Sequence, residues 1–531
     1  MANIPFHNLG LVGIIRDQAP HELPPEAWSD GEMVRFQDNK VIRMQGQEQL
    51  FGTPNHAPYA LMPVRTVNDL FWMYMGLTDV SVVDTSGTHT EITRTVTPGD
   101  YTGTASDIWT GVNFNGIPVI SNNVDVPQMW NTPLVSNDLT DLTAWPASTT
   151  CKVMRSFKNF LIALDVTKPG GREALMVKWS HSADPGLVPD SWDETDATKD
   201  AGETTLAETS GFVQDCLPLR GNNIIYKEDS TYIQQLIGGT FIFKFDPLFS
   251  ELGLLAPRCV GFFNIGAGPQ HFVVSPDDVV IHNGSNPRSV IDRRMRKWLF
   301  NEIDPTNFRF SYVVPNNPER EMWFCFPQTG FQYPSIALVY NTITEAFSLR
   351  PLSIEAPHIA AGRVEETEST VWDNLTTDIW DEQFETWDER TFRGGQRRLL
   401  MADHTNTKLL GPDRTFQFEG MNYEAYVERT GLAVVGVDRQ GNPKVDYDMR
   451  KLVNRIWIKA SGDPFQVRLG TQESPDDPVT YTAPQTFTPG QDKYLDFTLN
   501  TRLLTVRFES QSNASWEIHS YDLDLEPAGM F

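Results

Sequence analysis

Three Trp-Asp pairs stand close together in the segment 368–392. The pairs are Trp372-Asp373, Trp380-Asp381 and Trp387-Asp388. Propeller repeats that carry one such pair per blade recur about every 40–45 residues, so this closer spacing indicates something more local. Tryptophan is costly to expose, and aspartate is costly to bury without a partner. We therefore expect each tryptophan to dock on an apolar neighbour while the carboxylates stay in water. The three tryptophans are predicted interface residues.

The same segment offers the oxygen ligands that a divalent cation prefers. Asp373, Asn374 and Asp378 could surround a calcium ion, although their spacing fits no known calcium-binding loop. The tryptophans fall on one side of a helical wheel, whereas the threonines and aspartates between them disfavour a helix and favour irregular or short extended pieces. The sequence leaves the ion open and predicts an acidic connector over 356–400.

A basic cluster stands in RSVIDRRMRKWLF, residues 288–300. Arg293, Arg294 and Arg296 could contact phosphate groups, or they could pair with acidic patches of the same or a neighbouring subunit. The chain carries a formal net charge of −26, so pairing with acidic patches is the interpretation that we favour. The three arginines are accordingly predicted interface residues.

No motif predicts a catalytic, cofactor or metal site. The sequence has no phosphate-binding loop, nucleophile elbow or zincin helix, and the glycines of NIGAGPQH (264–271) do not match the dinucleotide fingerprint. The cysteines, Cys151, Cys216, Cys259 and Cys325, are too far apart for a zinc site or a disulfide framework. They are predicted to be buried thiols of a protein made in a reducing cytoplasm. We predict a protein that is not an enzyme and needs no cofactor.

One segment imitates the Asp-box turn of sialidase-type propellers, namely SADPGLVPDSW (182–192). Its tryptophan comes later than in that motif, and no other unit repeats it. A propeller that binds or depolymerises carbohydrate is the alternative interpretation, and such an enzyme needs two convergent carboxylates. The pair Asp277-Asp278 is a poor fit, because neighbours on a strand point to opposite faces.

The charge also limits the partners. A net charge of −26 argues against a protein that grips DNA through a basic face, but it suits a conduit along which DNA slides. The sequence has no signal peptide and no apolar run long enough to span a membrane, so we expect no stable membrane insertion.

Short apolar runs separated by polar turns supply the elements that would position these residues. Each run–turn–run unit predicts an antiparallel hairpin. Six units follow one another, and their apolar runs are anchored at Leu70, Ile117, Phe160, Ile224, Phe272 and Met322. Steps of 43 to 64 residues between these anchors predict an all-β fold with a six-bladed β-propeller-like core, with a set of unrelated β-sandwiches as the alternative.

The units divide the chain into four predicted parts. These are an N-terminal β-hairpin extension (1–55), the β-propeller (56–355), the acidic Trp-Asp connector (356–400) and a C-terminal β-sandwich or platform domain (401–531). The last part is predicted from strands that alternate apolar and polar residues.

Four stretches resemble a known group of proteins. LPPEAWSDGEMVRFQDNKVIRMQG (23–46) resembles the opening of structural proteins in the short tails of bacteriophages. VKWSHSADPGLVPDSW (177–192), IYKEDSTYI (225–233) and ALVYNTITEAFSLRPL (337–352) resemble further segments of the same proteins. The Trp-Asp repeat before a C-terminal β region is also similar. The chain thus resembles the tail nozzle, or tail tubular protein B-like, family of short-tailed phages.

The resemblance implies a structural protein of the virion tail, synthesised in the cytoplasm of the host bacterium. It implies a homo-oligomer, a six-fold ring that extends the portal and the head-to-tail adaptor. The ring would surround the channel through which genomic DNA leaves without specific binding, and tail fibres or spikes would attach nearby. No gate or channel residue is implied, because the resembling motifs do not include those loops.

Overall fold

A computed structural model describes residues 2–66, 69–95, 100–239, 241–266, 268–363, 397–437 and 443–529. Nearly all regular structure in these ranges is β-strand, which confirms the predicted all-β class. The described part contains one α-helix, α1 (Arg296–Glu302), and two 3-10 turns, Pro20–Glu22 and Phe308–Phe310. None of the described helices is long and apolar enough to cross a membrane.

The first fifty residues form seven short strands. They are β1 (Ala2–Phe6), β2 (Gly13–Ile14), β3 (Ala27–Trp28), β4 (Asp30–Glu32), β5 (Val34–Gln37), β6 (Lys40–Arg43) and β7 (Gln47–Leu50). A hairpin turn at Asp38 and Asn39 joins β5 to β6. Both residues have positive φ, 49° and 61°, which is the backbone of the turn that best matches strand twist.

Seven units of four antiparallel strands follow, and in the first six the four strands pair in chain order. Unit 1 holds β8 (Ala60–Arg65), β9 (Leu70–Met75), β10 (Val80–Asp84) and β11 (His89–Glu91); unit 2 holds β12 (Thr110–Phe114), β13 (Ile117–Ser121), β14 (Gln128–Met129) and β15 (Thr140–Asp141); unit 3 holds β16 (Thr150–Phe157), β17 (Phe160–Lys168), β18 (Gly171–Trp179) and β19 (Gly202–Thr205); unit 4 holds β20 (Val213–Leu219), β21 (Asn222–Lys227), β22 (Thr231–Leu236) and β23 (Phe243–Phe249). Unit 5 holds β24 (Val260–Ile265), β25 (Gly268–Val274), β26 (Val279–His282) and β27 (Arg288–Ser289); unit 6 holds β28 (Tyr312–Asn316), β29 (Glu321–Phe326), β30 (Ile336–Asn341) and β31 (Phe347–Pro351); unit 7 holds β32 (Ile359–Gly362), β33 (Arg398–Asp403) and β34 (Lys408–Pro412), completed by β7.

The first strands of these units lie side by side around a common axis. Each of β8, β12, β16, β20, β24, β28 and β32 contacts the next, and β32 contacts β8 in turn. The seven units are therefore the blades of a β-propeller-like ring. The N-terminal strand β7 pairs with β34, so a strand from near the start of the chain completes the last blade.

The number of blades differs from the six predicted. All six anchors lie in the second strand of blades 1 to 6, so those units are identified correctly. The seventh blade escaped detection because its strands are not contiguous. The segment 364–396 separates β32 from β33, and the fourth strand comes from residues 47–50. The sheets therefore cross the boundaries drawn at residues 55, 355 and 400.

The remaining strands build two facing sheets. They are β35 (Ala425–Leu432), β36 (Val434–Val437), β37 (Pro443–Val445), β38 (Arg450–Gly462), β39 (Phe465–Gln472), β40 (Thr480–Tyr481), β41 (Gln485–Phe487), β42 (Tyr494–Thr501), β43 (Leu503–Ser510) and β44 (Trp516–Gly529). One sheet has the order β42-β38-β44-β6-β5 with β1 on β44, the other the order β4-β35-β43-β39-β40 with β41 on β39, and β36 pairs with β37. Aromatic side chains fill the space between the two sheets, with the rings of Phe465 and Trp516 5.7 Å apart. The C-terminal part is thus a β-sandwich to which the N-terminal strands also belong.

The N-terminal strands connect the propeller to the sandwich. Strands β1, β5 and β6 join one sandwich sheet and β4 joins the other, while β2 and β3 extend blade 6 and β7 completes blade 7. A single buried apolar core extends from blades 4 to 7 into the sandwich. The name "junction" denotes residues 2–50 together with the strands of blade 6, blade 7 and the sandwich that they contact. The four cysteines are all buried and unpaired, as predicted.

Candidate functional site

The junction contains the motif of residues 23–46, the first of the four stretches that carry the resemblance. Trp28 is buried, donates its indole N–H to the carbonyl oxygen of Leu9 at 2.9 Å and packs against Phe508 of the sandwich. The guanidinium of Arg43 donates to the carbonyl oxygens of Ser512 and Ala514 at 2.5 and 2.6 Å. The side chains of Trp28 and Arg43 thus hold the N-terminal strands on the sandwich.

A buried ion network lies beside this motif, between blades 6 and 7. Arg35 donates from Nε to Glu321 at 2.8 Å and from Nη2 to Asp413 at 3.1 Å. Arg350 donates from Nη1 to the other oxygen of Asp413 at 2.8 Å, and its guanidinium lies 4.6 Å from the ring centre of Trp323. Burial alone would raise the pKa of Asp413, but the two arginines hold it below its usual value. Each charge in this network has an opposite charge at hydrogen-bond distance.

In the sequence, Arg35 and Arg350 are members of two separate motifs, and neither motif indicates that the two residues meet. Arg35 stands in the N-terminal hairpin and Arg350 stands in ALVYNTITEAFSLRPL. Their shared partner, Asp413, lies more than 60 residues beyond Arg350. Because the three residues meet only through the closure of the propeller, no local pattern could have indicated the network.

The predicted basic cluster pairs largely with acidic groups and carbonyl oxygens of the same chain. Arg294 donates to the carbonyl oxygen of Glu345 at 2.5 Å, and Arg296 donates to that of Asp277 at 2.7 Å. Arg293 projects into solvent with its side chain 86% exposed. Arg293 and Arg296 line an open cleft of about 900 Å³, which they share with Asp17, Glu22, Asp277 and Asp292. This mixture of charges makes the cleft a poor phosphate site.

The other predicted interface residues, Trp372, Trp380 and Trp387, lie outside the described residues. The residues proposed as calcium ligands, Asp373, Asn374 and Asp378, also lie there. Among the residues that the structure describes, no cluster of three or more His, Cys, Asp or Glu side chains could hold a metal ion.

The segment that imitates an Asp-box has a packing role. Trp192 is buried against Trp145 of the preceding blade, with ring centres 4.6 Å apart. Asp277 is largely exposed, while Asp278 accepts hydrogen bonds from Ser289 at 2.8 Å and from the backbone of Val279. Asp278 is thus held by hydrogen bonds within its own blade, whereas Asp277 is largely exposed.

A buried chain of hydrogen bonds between blades 4 and 5 was not predicted. The backbone N–H of Gly284 donates to Nδ1 of His282 at 3.1 Å, so the proton of that ring is on Nε2 and points to the hydroxyl oxygen of Tyr226 at 2.7 Å. The Tyr226 hydroxyl then donates to Nδ1 of His271 at 2.7 Å, and Nε2 of His271 donates to the carbonyl oxygen of Pro218 at 3.2 Å. Every member is satisfied with both imidazoles neutral.

Burial keeps these imidazoles neutral. Desolvation lowers the pKa of His271 to about 3, and the neighbouring His282 adds to that effect. Desolvation also lowers the pKa of His282 to about 4. The sequence shows these histidines only as scattered strand residues, because the two rings meet through a hairpin of blade 5 and a tyrosine of the preceding blade.

A second unpredicted cluster lies among the first strands of blades 3 to 7, around the propeller axis. Arg155 of blade 3 donates through Nε and Nη2 to the two carboxylate oxygens of Asp215 in blade 4, both at 2.8 Å. The guanidinium of Arg258, just before blade 5, lies 5.5 Å from the ring centre of Tyr312 in blade 6. The ring of His358, just before blade 7, is 5.4 Å from that of Tyr312 and accepts the backbone N–H of Leu61 at 3.0 Å. We call this set the axial cluster.

Comparisons with known proteins add little to this geometry. No protein-family model and no curated protein matches the chain. Similar solved structures include an exo-β-1,3-galactanase from Phanerochaete chrysosporium, at 7% identity over 90% of this chain and 100% of that chain, with a TM-score of 0.29. PorZ, an essential surface component of the type-IX secretion system of Porphyromonas gingivalis, shares 10% identity over 73% of this chain and 43% of its own, with a TM-score of 0.32.

The N-terminal domain of Nup159 is similar to the same degree, at 10% identity over 70% of this chain and 95% of that chain, with a TM-score of 0.36. Scores this low carry no argument about function. The fold is defined by the strand pairing and by the contacts between blades.

Proposed function

We propose that the protein is a structural subunit of a short phage tail. In this proposal it is a nozzle protein that forms a homo-oligomeric ring, six-fold by resemblance, below the portal and the adaptor. The ring surrounds the DNA ejection channel and supports tail fibres or spikes. The subunit is made in the host cytoplasm and resides in the virion tail, is not an enzyme, and lets DNA pass without specific binding.

One observation carries the proposal: the polar residues of the resembling motifs are used to hold the molecule together. In IYKEDSTYI, the ammonium group of Lys227 is buried and donates to the carbonyl oxygen of Leu206 at 2.8 Å. In ALVYNTITEAFSLRPL, Asn341 donates to the carbonyl oxygen of Phe36 at 3.2 Å. Motifs whose polar side chains form rigid connections between the blades and the sandwich suit a structural component better than a catalyst.

An exposed apolar hairpin supplies a contact surface for a neighbouring copy. It joins β22 to β23 on the outer side of blade 4, where Ile237 and Phe241 are 54% and 75% exposed. Apolar side chains exposed together on one hairpin mark interaction sites. A contact between two different surfaces of identical subunits closes into a ring when the rotation permits it.

Electron microscopy of the purified protein mixed with the adaptor ring of its phage tests the proposal. We expect ring-shaped particles, formed either by the protein alone or only when the adaptor is present as a template. Particles without rings in both samples would contradict it. Release of reducing sugar from host polysaccharide would favour the carbohydrate-active alternative instead.

The variant Phe241→Ser tests the contact surface. Removal of this aromatic side chain should reduce the fraction of protein in rings at least tenfold, because exposed apolar anchors dominate such contacts. Met421→Ser is the matched control, since Met421 is 68% exposed but lies in the chain segment before the sandwich. Equal ring formation by both variants would exclude the hairpin from the interface.

A further inference from the structure

The first strands of the blades carry a net charge opposite to that of the whole chain. The structure describes the seven first strands in full, and Asp215 is their one carboxylate, whereas Arg65, Lys152 and Arg155 are basic. Arg258 adds a further positive charge immediately before β24. A basic excess in these strands within a chain of net charge −26 is not a consequence of average composition, although Lys152 pairs with Asp165 and Arg155 with Asp215.

Within the axial cluster, the two arginines have different surroundings. Both carboxylate oxygens of Asp215 are engaged by Arg155, and one of them also accepts the backbone N–H of Arg258 at 2.9 Å. The Nε of Arg258 is buried and has no acceptor in the described part of the chain. Nor does any described carboxylate form an ion pair with its guanidinium. Arg258 contributes a positive charge that the described residues leave without a counter-ion.

This lack of a partner is costly, and it changes the properties of Arg258. Desolvation, with a smaller contribution from the charge of Arg155, lowers the pKa of Arg258 to about 10 although Tyr312 and Asp215 favour the charged form. Its backbone is also in the left-handed region, with φ of 70°. Residues other than glycine adopt that conformation in a small share of positions, at turns such as Asp38-Asn39 as well as at strained functional sites.

His358 provides a neutral donor in the same cluster. Its Nδ1 accepts the N–H of Leu61, so the proton of the ring is on Nε2. Burial lowers its pKa well below the usual value, and the charges of Arg258 and Arg155 lower it further. The cluster therefore combines one uncompensated guanidinium, one compensated guanidinium and one neutral imidazole, which together favour an anion.

We propose that the axial cluster binds a small oxyanion, with the guanidinium of Arg258 as its principal ligand. A planar guanidinium presents paired donors that match the oxygens of a phosphate or a carboxylate. The cluster has two guanidinium charges and one carboxylate charge, so a single oxyanion completes its neutralisation. The anion is either free phosphate or a carboxylate group contributed by another molecule. This site goes beyond the nozzle function and does not depend on it.

Isothermal titration calorimetry of the full chain in an anion-poor buffer tests the site. The probes are inorganic phosphate, acetate and, as a halide control, chloride. We expect phosphate or acetate to bind with one site per chain, and Arg258→Gln to weaken that binding at least about tenfold, as the loss of charge-assisted hydrogen bonds predicts. Phosphate binding alone indicates a free phosphate ligand, and acetate binding alone indicates a carboxylate from another molecule.

Arg293→Gln is the matched control, because Arg293 is the exposed arginine of the basic cluster. Unchanged affinity in Arg293→Gln together with loss in Arg258→Gln supports the axial site. Weaker binding in Arg293→Gln with full affinity in Arg258→Gln would overturn it, and so would the absence of binding by both oxyanions to the unaltered protein. Thermal unfolding separates misfolding from lost binding. Arg258 is partly buried and forms no ion pair with a described carboxylate, so Arg258→Gln should be about as stable as the unaltered protein without anion.

Discussion

The junction and the axial cluster both contain two buried or half-buried arginines, but they differ in how these charges are balanced. In the junction, Arg35 and Arg350 share Asp413, and Arg35 also contacts Glu321. In the axial cluster, Arg155 takes both oxygens of Asp215, and Arg258 has no carboxylate partner among the described residues. The comparison separates arginines that hold the fold together from an arginine that is available to a ligand.

The difference follows from the cost of burying charge. A buried ion pair roughly balances desolvation against attraction, whereas a charge such as Arg258, partly removed from water without an opposite charge beside it, is a net cost. A protein retains such a cost where function uses it. The paired arginines of the junction therefore make the connection between propeller and sandwich rigid, and Arg258 of the axial cluster serves the proposed binding site.

The largest effect is expected from Asp413→Asn in the junction. The substitution leaves two buried guanidinium groups without their shared counter-charge, so we expect the free energy of unfolding to fall by about 3–5 kcal/mol. Chemical denaturation at neutral pH measures this loss. Asp476→Asn, at an exposed position in the β39–β40 turn, is the control and should change stability by less than about 0.5 kcal/mol. A loss below about 1 kcal/mol in Asp413→Asn would show that the network contributes little.

The buried hydrogen bonds that link His271, Tyr226 and His282 are expected to have an intermediate effect on the free energy of unfolding, and this effect depends on pH. Because folding lowers the pKa values of His271 and His282 to about 3 and about 4, their contribution is fully present above the unfolded value and is lost as pH falls towards the folded values. With an unfolded pKa of about 6.5, we expect a loss of about 2 kcal/mol for each imidazole between pH 7 and pH 5.

The variant His282→Gln should remove about half of that pH dependence, and His7→Gln, at an exposed position near the N-terminus, should leave it unchanged. Denaturation curves recorded from pH 7 to pH 5 provide the comparison. An unchanged slope in His282→Gln would mean that other groups control acid stability.

The sequence predicted local structure well because turn chemistry and alternation are local. The Asp38-Asn39 turn and the second strands of six blades all follow from such patterns. The seventh blade could not be predicted, since it joins β7 to strands more than 300 residues later. The same limit applies to both arginine clusters, whose members meet only when the ring closes.

The predicted interface residues show the same limit. The charge of the chain led to the expectation that Arg294 and Arg296 pair with acidic regions, and the contacts are to carbonyl oxygens and carboxylates of loops far away in sequence. Arg258 stood in the sequence as an ordinary residue of LLAPRCVGF. Its left-handed backbone and its lack of a carboxylate partner among the described residues are properties of the fold alone.

The most direct test of the comparison is the change in the free energy of unfolding caused by two matched substitutions, Arg350→Gln in the junction and Arg258→Gln in the axial cluster. Both are measured by chemical denaturation in the same anion-poor buffer. We predict that Arg350→Gln lowers the free energy of unfolding by about 3 kcal/mol, whereas Arg258→Gln leaves it unchanged or raises it by up to about 1 kcal/mol. Similar losses in both variants would contradict the account, because they would mean that Arg258 is balanced within the fold as fully as Arg350.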